Sequence, residues 1–208
     1  MKTISFLDKG TGEQLAISEA SVCLYDEVEL GHSYEFLLSE LIDSTPWRCE
    51  EIVMWGKKMQ QPRLSSWYGD SDAHYSYSGI QLLPMPWTSL LKSIKHKIES
   101  IVNAEFNSVL LNFYRNNRDS MGLHSDDEKE LGNNPIIASL SLGAERTLVF
   151  KHKQKKFPSV KIPLHSGSLL VMSGETQRHW THGINKESTP CGARVNLTYR
   201  KIIGSKLT

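Results

Sequence analysis

From Phe106 onward the chain is a succession of short β-type segments with no helical pattern between them: Val109–Tyr114, Ile136–Leu142, Thr147–Lys151, Ser159–Ile162, Ser168–Met172 and Arg194–Arg200. Turn-forming stretches such as His165-Ser-Gly-Ser168 separate them. Short strands joined by turns rather than helices argue for an antiparallel sandwich or a jelly roll. A jelly roll keeps a cavity between its sheets, which makes residues near the strand ends candidates for a site.

His124 and Asp126 follow the first of these segments, and His182 precedes the last, so a shared cavity mouth suits all three. If the H-x-D pair lies on a strand, both side chains leave the same face, because side chains alternate with period two. Two imidazoles and one carboxylate form a facial triad that leaves coordination positions open and suits non-haem Fe(II) used with O2. The pair alone is weak: with 8 histidines and 23 acidic residues in 208, about one such match arises by chance.

The last segment strengthens it. On a strand Arg194, Asn196 and Arg200 share one face. Two guanidinium groups turned into a cavity are costly unless anions neutralise them, and a dicarboxylate offers one carboxylate to each planar fork. Asn112 and Tyr114, two apart on the strand leading to His124, add an amide and a phenol. The bland alternative is an edge strand with solvated arginines; the triad and the arginines together explain each other better.

The first half is less regular. Ser33 is a fitting N-cap for a short amphipathic helix through Phe36, Leu37, Leu41 and Ile42, ending near Ser44-Thr45-Pro46. Glu51–Gly56 is strand-like, Gln61–Asp70 reads as irregular, and His74–Ser78 alternates aromatic and small polar residues. After Thr88, apolar residues at Leu91, Ile94, Ile98 and Ile101 recur at helical spacing.

Net charge is +1, so affinity for nucleic acid has to come from local patches. One such patch is Lys151-His-Lys-Gln-Lys-Lys156, in a hairpin suited to a phosphate backbone. No run approaches the ~20 apolar residues of a membrane span, and Asp8 interrupts any signal-peptide core. Cys23, Cys49 and Cys191 are odd in number and widely spaced, as in a reduced intracellular protein. The expectation is a monomer without membrane partners, cytoplasmic or, in a eukaryote, nuclear.

The stretches N-x-Y-x4-D-x4-H-x-D (Asn112, Tyr114, Asp119, His124, Asp126) and R-x-N-x-T-[FY]-R (Arg194, Asn196, Thr198, Tyr199, Arg200) resemble the AlkB family of Fe(II)/2-oxoglutarate-dependent dioxygenases, nucleic-acid-repair branch. The one departure is Tyr199, where phenylalanine is usual. The resemblance covers roughly residues 50 to 203 and implies an α+β fold: a double-stranded β-helix (jelly roll) core over 106–208, with flanking helices and a nucleotide-recognition lid within 1–105, forming one compact unit. It implies Fe(II) on His124, Asp126 and His182, with His179 as the rival ligand; the spacing to Arg194 favours His182. It further implies 2-oxoglutarate held by Arg194, Asn112 and Tyr114 at the distal carboxylate and by Arg200 at the other, beside Asn196, with O2 as co-oxidant.

The implied reaction is oxidative demethylation of 1-methyladenine or 3-methylcytosine in DNA, releasing formaldehyde, succinate and CO2. Such a base has to be flipped out of the duplex. Tyr77 and His124 would sandwich it, Glu128 would read its amine or positive charge, and Arg63 and Tyr75 would contact phosphate or base edges. Trp55, followed by Gly56-Lys57-Lys58, would fill the vacated stack. Two alternatives remain: the same chemistry on RNA, or a non-catalytic nucleic-acid-binding β-sandwich, which would have no use for a dicarboxylate pocket.

Overall fold

In chain order, the computed structural model, which describes residues 11–54, 57–73, 75–77 and 80–203, begins with strands β1 (Glu13–Gln14) and β2 (Ser21–Tyr25) and helix α1 (Tyr34–Ser44). Hairpin β3 (Glu51–Met54) and β4 (Lys57–Gln60) leads to β5 (Leu64–Gly69), hairpin β6 (Tyr75–Tyr77) and β7 (Ile80–Leu82), and helix α2 (Ser89–Val102). Then come β8 (Ser108–Tyr114), β9 (Met121–His124), β10 (Ile137–Gly143), β11 (Arg146–His152), β12 (Val160–Leu164) and β13 (Leu169–Ser173). A single helical turn α3 (Thr176–His179), β14 (Trp180–Ile184) and β15 (Arg194–Arg200) complete the order.

A seven-stranded sheet runs β1-β2-β13-β10-β15-β8-β5, and a four-stranded sheet runs β12-β11-β14-β9. Pairing is antiparallel throughout both, consistent with a jelly-roll core. β15 lies between β10 and β8 and is buried along its whole length. Its period-two alternation therefore serves two layers. Val195, Leu197 and Tyr199 join the core beneath the helices. Arg194, Asn196, Thr198 and Arg200 line a pocket shared with residues of the smaller sheet.

The helices form where their caps and stripes allow. Ser33 Oγ accepts the Phe36 N–H at 3.3 Å, and Thr88 Oγ1 accepts the Leu91 N–H at 3.1 Å, each meeting a donor that the first helical turn leaves open. α1 stops at Ser44, before Pro46. α2 ends on Asn103 in the left-handed region (φ 53), which asparagine tolerates. Leu37 and Leu41 from α1, with Leu91, Ile94 and Ile98 from α2, bury themselves against the seven-stranded sheet. At roughly 1.5–3 kcal/mol per buried aliphatic side chain, this packing outweighs the caps. No helix among the described residues is long and apolar enough to cross a membrane.

Several elements differ from the sequence expectation. Residues 64–69, expected to be irregular, form β5 and pair along β8. The stretch is buried at nearly every position, so no polar alternation announces it. β2, in the uninformative N-terminal approach, pairs with β13. The short strands β9 and β14 also went unseen: each carries a glycine, Gly122 or Gly183, and too little periodic pattern.

Tyr199 is fully buried, its ring stacked on Trp87 at 6.4 Å and tilted against Phe106 at 6.0 Å. Its hydroxyl has no hydrogen-bond partner among the described residues, and burial pushes its pKa well above the ordinary phenol value. Tyr199→Phe keeps the ring and removes the stranded hydroxyl. Thermal denaturation of that variant should show a gain of about 1–2 kcal/mol; a loss would reveal a partner for the hydroxyl.

Candidate metal and dicarboxylate site

Register, not sequence proximity, assembles the site. His182 on β14 stands directly opposite His124 on β9 and, on its other side, opposite Phe150 on β11. Directly opposed residues of antiparallel strands project from the same face, and the two imidazole centroids lie 4.4 Å apart. β9 ends at His124, so Asp126 lies in the irregular segment just past the strand rather than on it. The ligand atoms of His124, Asp126 and His182 all fall within 4.8 Å of one another.

Each of the three groups offers one donor atom to a metal. His124 Nδ1 is 3.0 Å from the Gly122 carbonyl oxygen. A carbonyl only accepts, so Nδ1 carries the proton and Nε2 keeps its lone pair, the arrangement metal-binding imidazoles commonly adopt. Asp126 is 2% exposed. Its Oδ1 accepts from Arg200 Nη2 at 2.6 Å and Nε at 3.2 Å. Its Oδ2 lies 3.6 Å from His182 Nε2 and has no hydrogen-bond partner among the described residues. Burial would raise the Asp126 carboxyl, but Arg200 and the two imidazoles outweigh it and hold the pKa at about 2. Burial, reinforced by His124 and opposed by Asp126, lowers His182 to about 3. At neutral pH the set is therefore one carboxylate and a bare imidazole beside a second one. A cation with bonds of roughly 2 Å fits such donors and would satisfy the stranded oxygen.

Gly183 makes this approach possible. A Cβ at that position would stand 2.8 Å from Met121 O and 2.9 Å from Gly122 O, where the β9–β14 register shifts between His182 and Ile184. Gly183→Ala should push β9 outward, carry His124 away from His182, and lower Mn(II) affinity at least tenfold, as disturbances around a metal's ligands do. Titration calorimetry checks this; unchanged affinity would mean that β9 yields without moving His124.

Arg194 and Arg200 line the same pocket, with Tyr114 and Asn196. Arg194 is 2% exposed. Nη2 donates to Ser141 Oγ at 2.9 Å, whereas Nε and Nη1 have no hydrogen-bond partner among the described residues. Its Cζ lies 5.0 Å from the centre of the Tyr114 ring. Burial pulls its pKa below the ordinary guanidinium value, against the support of Tyr114. A buried cation with open donors is costly, and a carboxylate matches its planar fork.

Asn196, Asn112 and Arg63 are bonded within the protein. Asn196 Nδ2 donates to Ser139 Oγ and to the Leu140 carbonyl, and its Oδ1 accepts from Thr198 Oγ1. It braces the wall. Asn112 Oδ1 accepts from Arg63 Nε at 2.7 Å. Arg63, expected at phosphate or base edges, is thus buried and bonded to Asn112. Glu128 keeps one carboxylate oxygen buried without a hydrogen-bond partner among the described residues. Tyr75 and Tyr77 are described only as part of β6, and Trp55 lies outside the described residues. The basic hairpin is partly neutralised, Lys153 by Asp127 at 2.9 Å and Lys156 by Glu19 at 3.2 Å.

His179 stands apart, 3.3 Å from Glu19 Oε2 and 3.5 Å from Glu175 Oε2. Glu19, His152 and His179 have metal-like spacing. However, His152 Nδ1 accepts the Gln154 and Lys156 backbone N–H groups, so Nε2 carries the proton and gives it to Glu19 at 2.9 Å. A metal would need that nitrogen bare.

Sequence reasoning missed Arg146. Its buried guanidinium donates to the carbonyls of Asn116, Asp119 and Asn185, tying the β8–β9 loop to the β14–β15 loop, and its Cζ lies 5.5 Å from the Tyr114 ring. The signal was there: Arg146 is in phase with Leu148 and Phe150, which point inward.

Residues 33–200 match the model of the 2OG-Fe(II) oxygenase superfamily. The chain is 42% identical over 192 residues to human "Alpha-ketoglutarate-dependent dioxygenase alkB homolog 3", covering 87% of this chain and 66% of that protein. It is 40% identical over 162 residues to human "DNA oxidative demethylase ALKBH2", covering 74% and 62%. The chain thus spans slightly less than two thirds of either relative's length. The structure of OsALKBH1 superposes with a TM-score of 0.59 at 17% identity, covering 92% of this chain and all of that one, which supports the fold. A match across most of the strands and all three helices, together with these identities, places the chain in the 2OG-Fe(II) oxygenase superfamily and, within it, in the AlkB family.

Proposed function

We propose that this chain is an oxidative demethylase of the AlkB type, using Fe(II), 2-oxoglutarate and O2 on N-alkylated bases, 1-methyladenine and 3-methylcytosine, in DNA. The observation that carries this reading is the convergence, in one buried pocket, of the two-imidazole, one-carboxylate set with Arg194, whose guanidinium keeps open donors. The printed names of the relatives, a dioxygenase and a DNA oxidative demethylase, support it.

His124, Asp126 and His182 would hold the metal. When bound, Fe(II) with 2-oxoglutarate supplies the activation of O2 needed to hydroxylate an N-methyl group. Arg194 binds the distal carboxylate of 2-oxoglutarate through its open donors, with Tyr114 against its guanidinium and Ser141 fixing its angle. Arg200 holds Asp126 and lies against the second carboxylate. Asn112, fixed by Arg63, and Asn196, fixed by Ser139, keep the polar wall rigid, which limits the reorganisation binding requires. Leu148, Leu164 and Ile184 make part of the pocket wall apolar, which strengthens each charge interaction inside.

In this reading the hairpins β3–β4 and β6–β7 serve as the nucleotide-recognition lid of the 106–208 core. Tyr77 walls the flipped base opposite His124, Tyr75 contacts phosphate or a base edge, Trp55 fills the gap the base leaves, and Glu128, with its open oxygen, reads the base's amine or charge. The protein acts as a monomer. The test is to incubate it with 1-methyladenine in single-stranded DNA, duplex DNA and RNA and to measure formaldehyde and succinate. Equimolar release from DNA is expected. Release from RNA alone would move the activity to RNA, and release from none would end the proposal.

A further inference from the structure

We infer that Gln177 is a positioning residue for Asp126: its side-chain oxygen sets where that carboxylate stands and so governs metal affinity. The inference rests on the proposed metal site. Asp126 lies beyond the end of β9, where no ladder hydrogen bonds hold the chain. Its backbone N–H instead donates to Gln177 Oε1 at 2.9 Å, a buried contact across 51 residues of sequence. The amide orientation is unambiguous, because an N–H can only donate and so faces the oxygen; Gln177 Nε2 turns toward Met172 Sδ at 3.5 Å. Gln177 is 2% exposed.

The carrier of Gln177 is itself fixed. α3 is too short to be stable alone, and Thr176 anchors it: Thr176 Oγ1 accepts the Ser21 N–H at 2.9 Å and donates to the Ser173 carbonyl at 2.6 Å. Three residues after Gln177, Trp180 donates Nε1–H to the Ser18 carbonyl, and its own carbonyl accepts from Ser125 Oγ at 2.9 Å. The corner between α3 and β14 thus grips the segment of Asp126 twice, and the same corner launches the strand that carries His182. Arg200 fixes one oxygen of the carboxylate, and Gln177 fixes the backbone from which it hangs. Without that acceptor, the Asp126 N–H is buried and unpaired, and the segment gains slack at the ligand.

The test uses the full chain and two variants. Gln177→Met keeps shape but lacks the oxygen; Gln177→Glu restores an oxygen acceptor at the same reach. Mn(II) affinity is measured by calorimetry, the visible spectrum of the Co(II) form reports ligand geometry, and the thermal midpoint is taken without metal. Gln177→Met should bind Mn(II) about 10–100-fold more weakly, the range for groups that orient metal ligands, with an altered Co(II) spectrum, and Gln177→Glu should recover most of the loss. Gln177→Met binding within twofold of the unchanged chain, or both variants weakening alike, would overturn the inference. Failure of the unchanged chain to bind Mn(II) or Co(II) would instead sink the metal site itself.

Discussion

Arg194→Met should yield a protein that melts higher than the unchanged chain yet no longer uses 2-oxoglutarate. The Arg194 guanidinium lies in a buried pocket with one hydrogen bond, to Ser141, and two nitrogens without a hydrogen-bond partner among the described residues. Buried ion pairs replaced by apolar side chains of similar volume are often neutral or stabilising by roughly 1–4 kcal/mol, and a buried charge with fewer partners has less attraction to lose. Removing the partner of a bound carboxylate costs about 2–5 kcal/mol, or at least thirtyfold in 2-oxoglutarate affinity. Scanning calorimetry without ligand and a 2-oxoglutarate titration check the two halves. A lower midpoint with intact affinity would make Arg194 a structural residue.

Asp126→Ala should be damaging on both counts. Its carboxylate neutralises Arg200 at 2.6 Å with both side chains nearly inaccessible, and breaking such a pair strands a buried charge at a cost of roughly 3–5 kcal/mol. Metal affinity should vanish with it. His182→Ala should also lose the metal while destabilising less, since it removes a neutral ring. The same groups fix the acid response of the metal-free protein. His182 falls from an ordinary 6.5 to about 3 on folding, so the unfolded chain takes up the proton first and stability declines as pH drops from about 6.5 toward 3. Asp126 falls from 3.8 to about 2, so its contribution is intact above pH 4 and is lost below. Thermal midpoints across that range should show the first decline in the unchanged chain and a shallower one in His182→Ala; identical slopes would put the titration elsewhere.

How far the sequence foretold this molecule varies by element. Alternation made β15 legible, because its odd and even residues face different layers and differ in chemistry. The stripe through Leu91, Ile94 and Ile98 and the cap at Ser33 were equally plain. β5 was not, because a strand buried on both faces shows no alternation. β9 and β14 were hidden by brevity and by glycines, and Gly183 reads as a weak strand residue until the carbonyls packed against it are seen. Within the site, residue types were legible and duties were not. Arg63 is the kind of residue that meets a phosphate, yet it bonds Asn112 across 49 residues of sequence. Arg146 and Gln177 act through contacts that exist only once loops far apart in the chain have met.

A single pocket is proposed to hold a metal on His124, Asp126 and His182 and a dicarboxylate on the paired arginines. Its most direct test is the visible absorbance of the chain mixed without oxygen with Fe(II) and 2-oxoglutarate. A weak charge-transfer band is predicted that neither addition gives alone and that His182→Ala does not show. Absence of the band with both present, or its persistence in His182→Ala, would rule that pocket out.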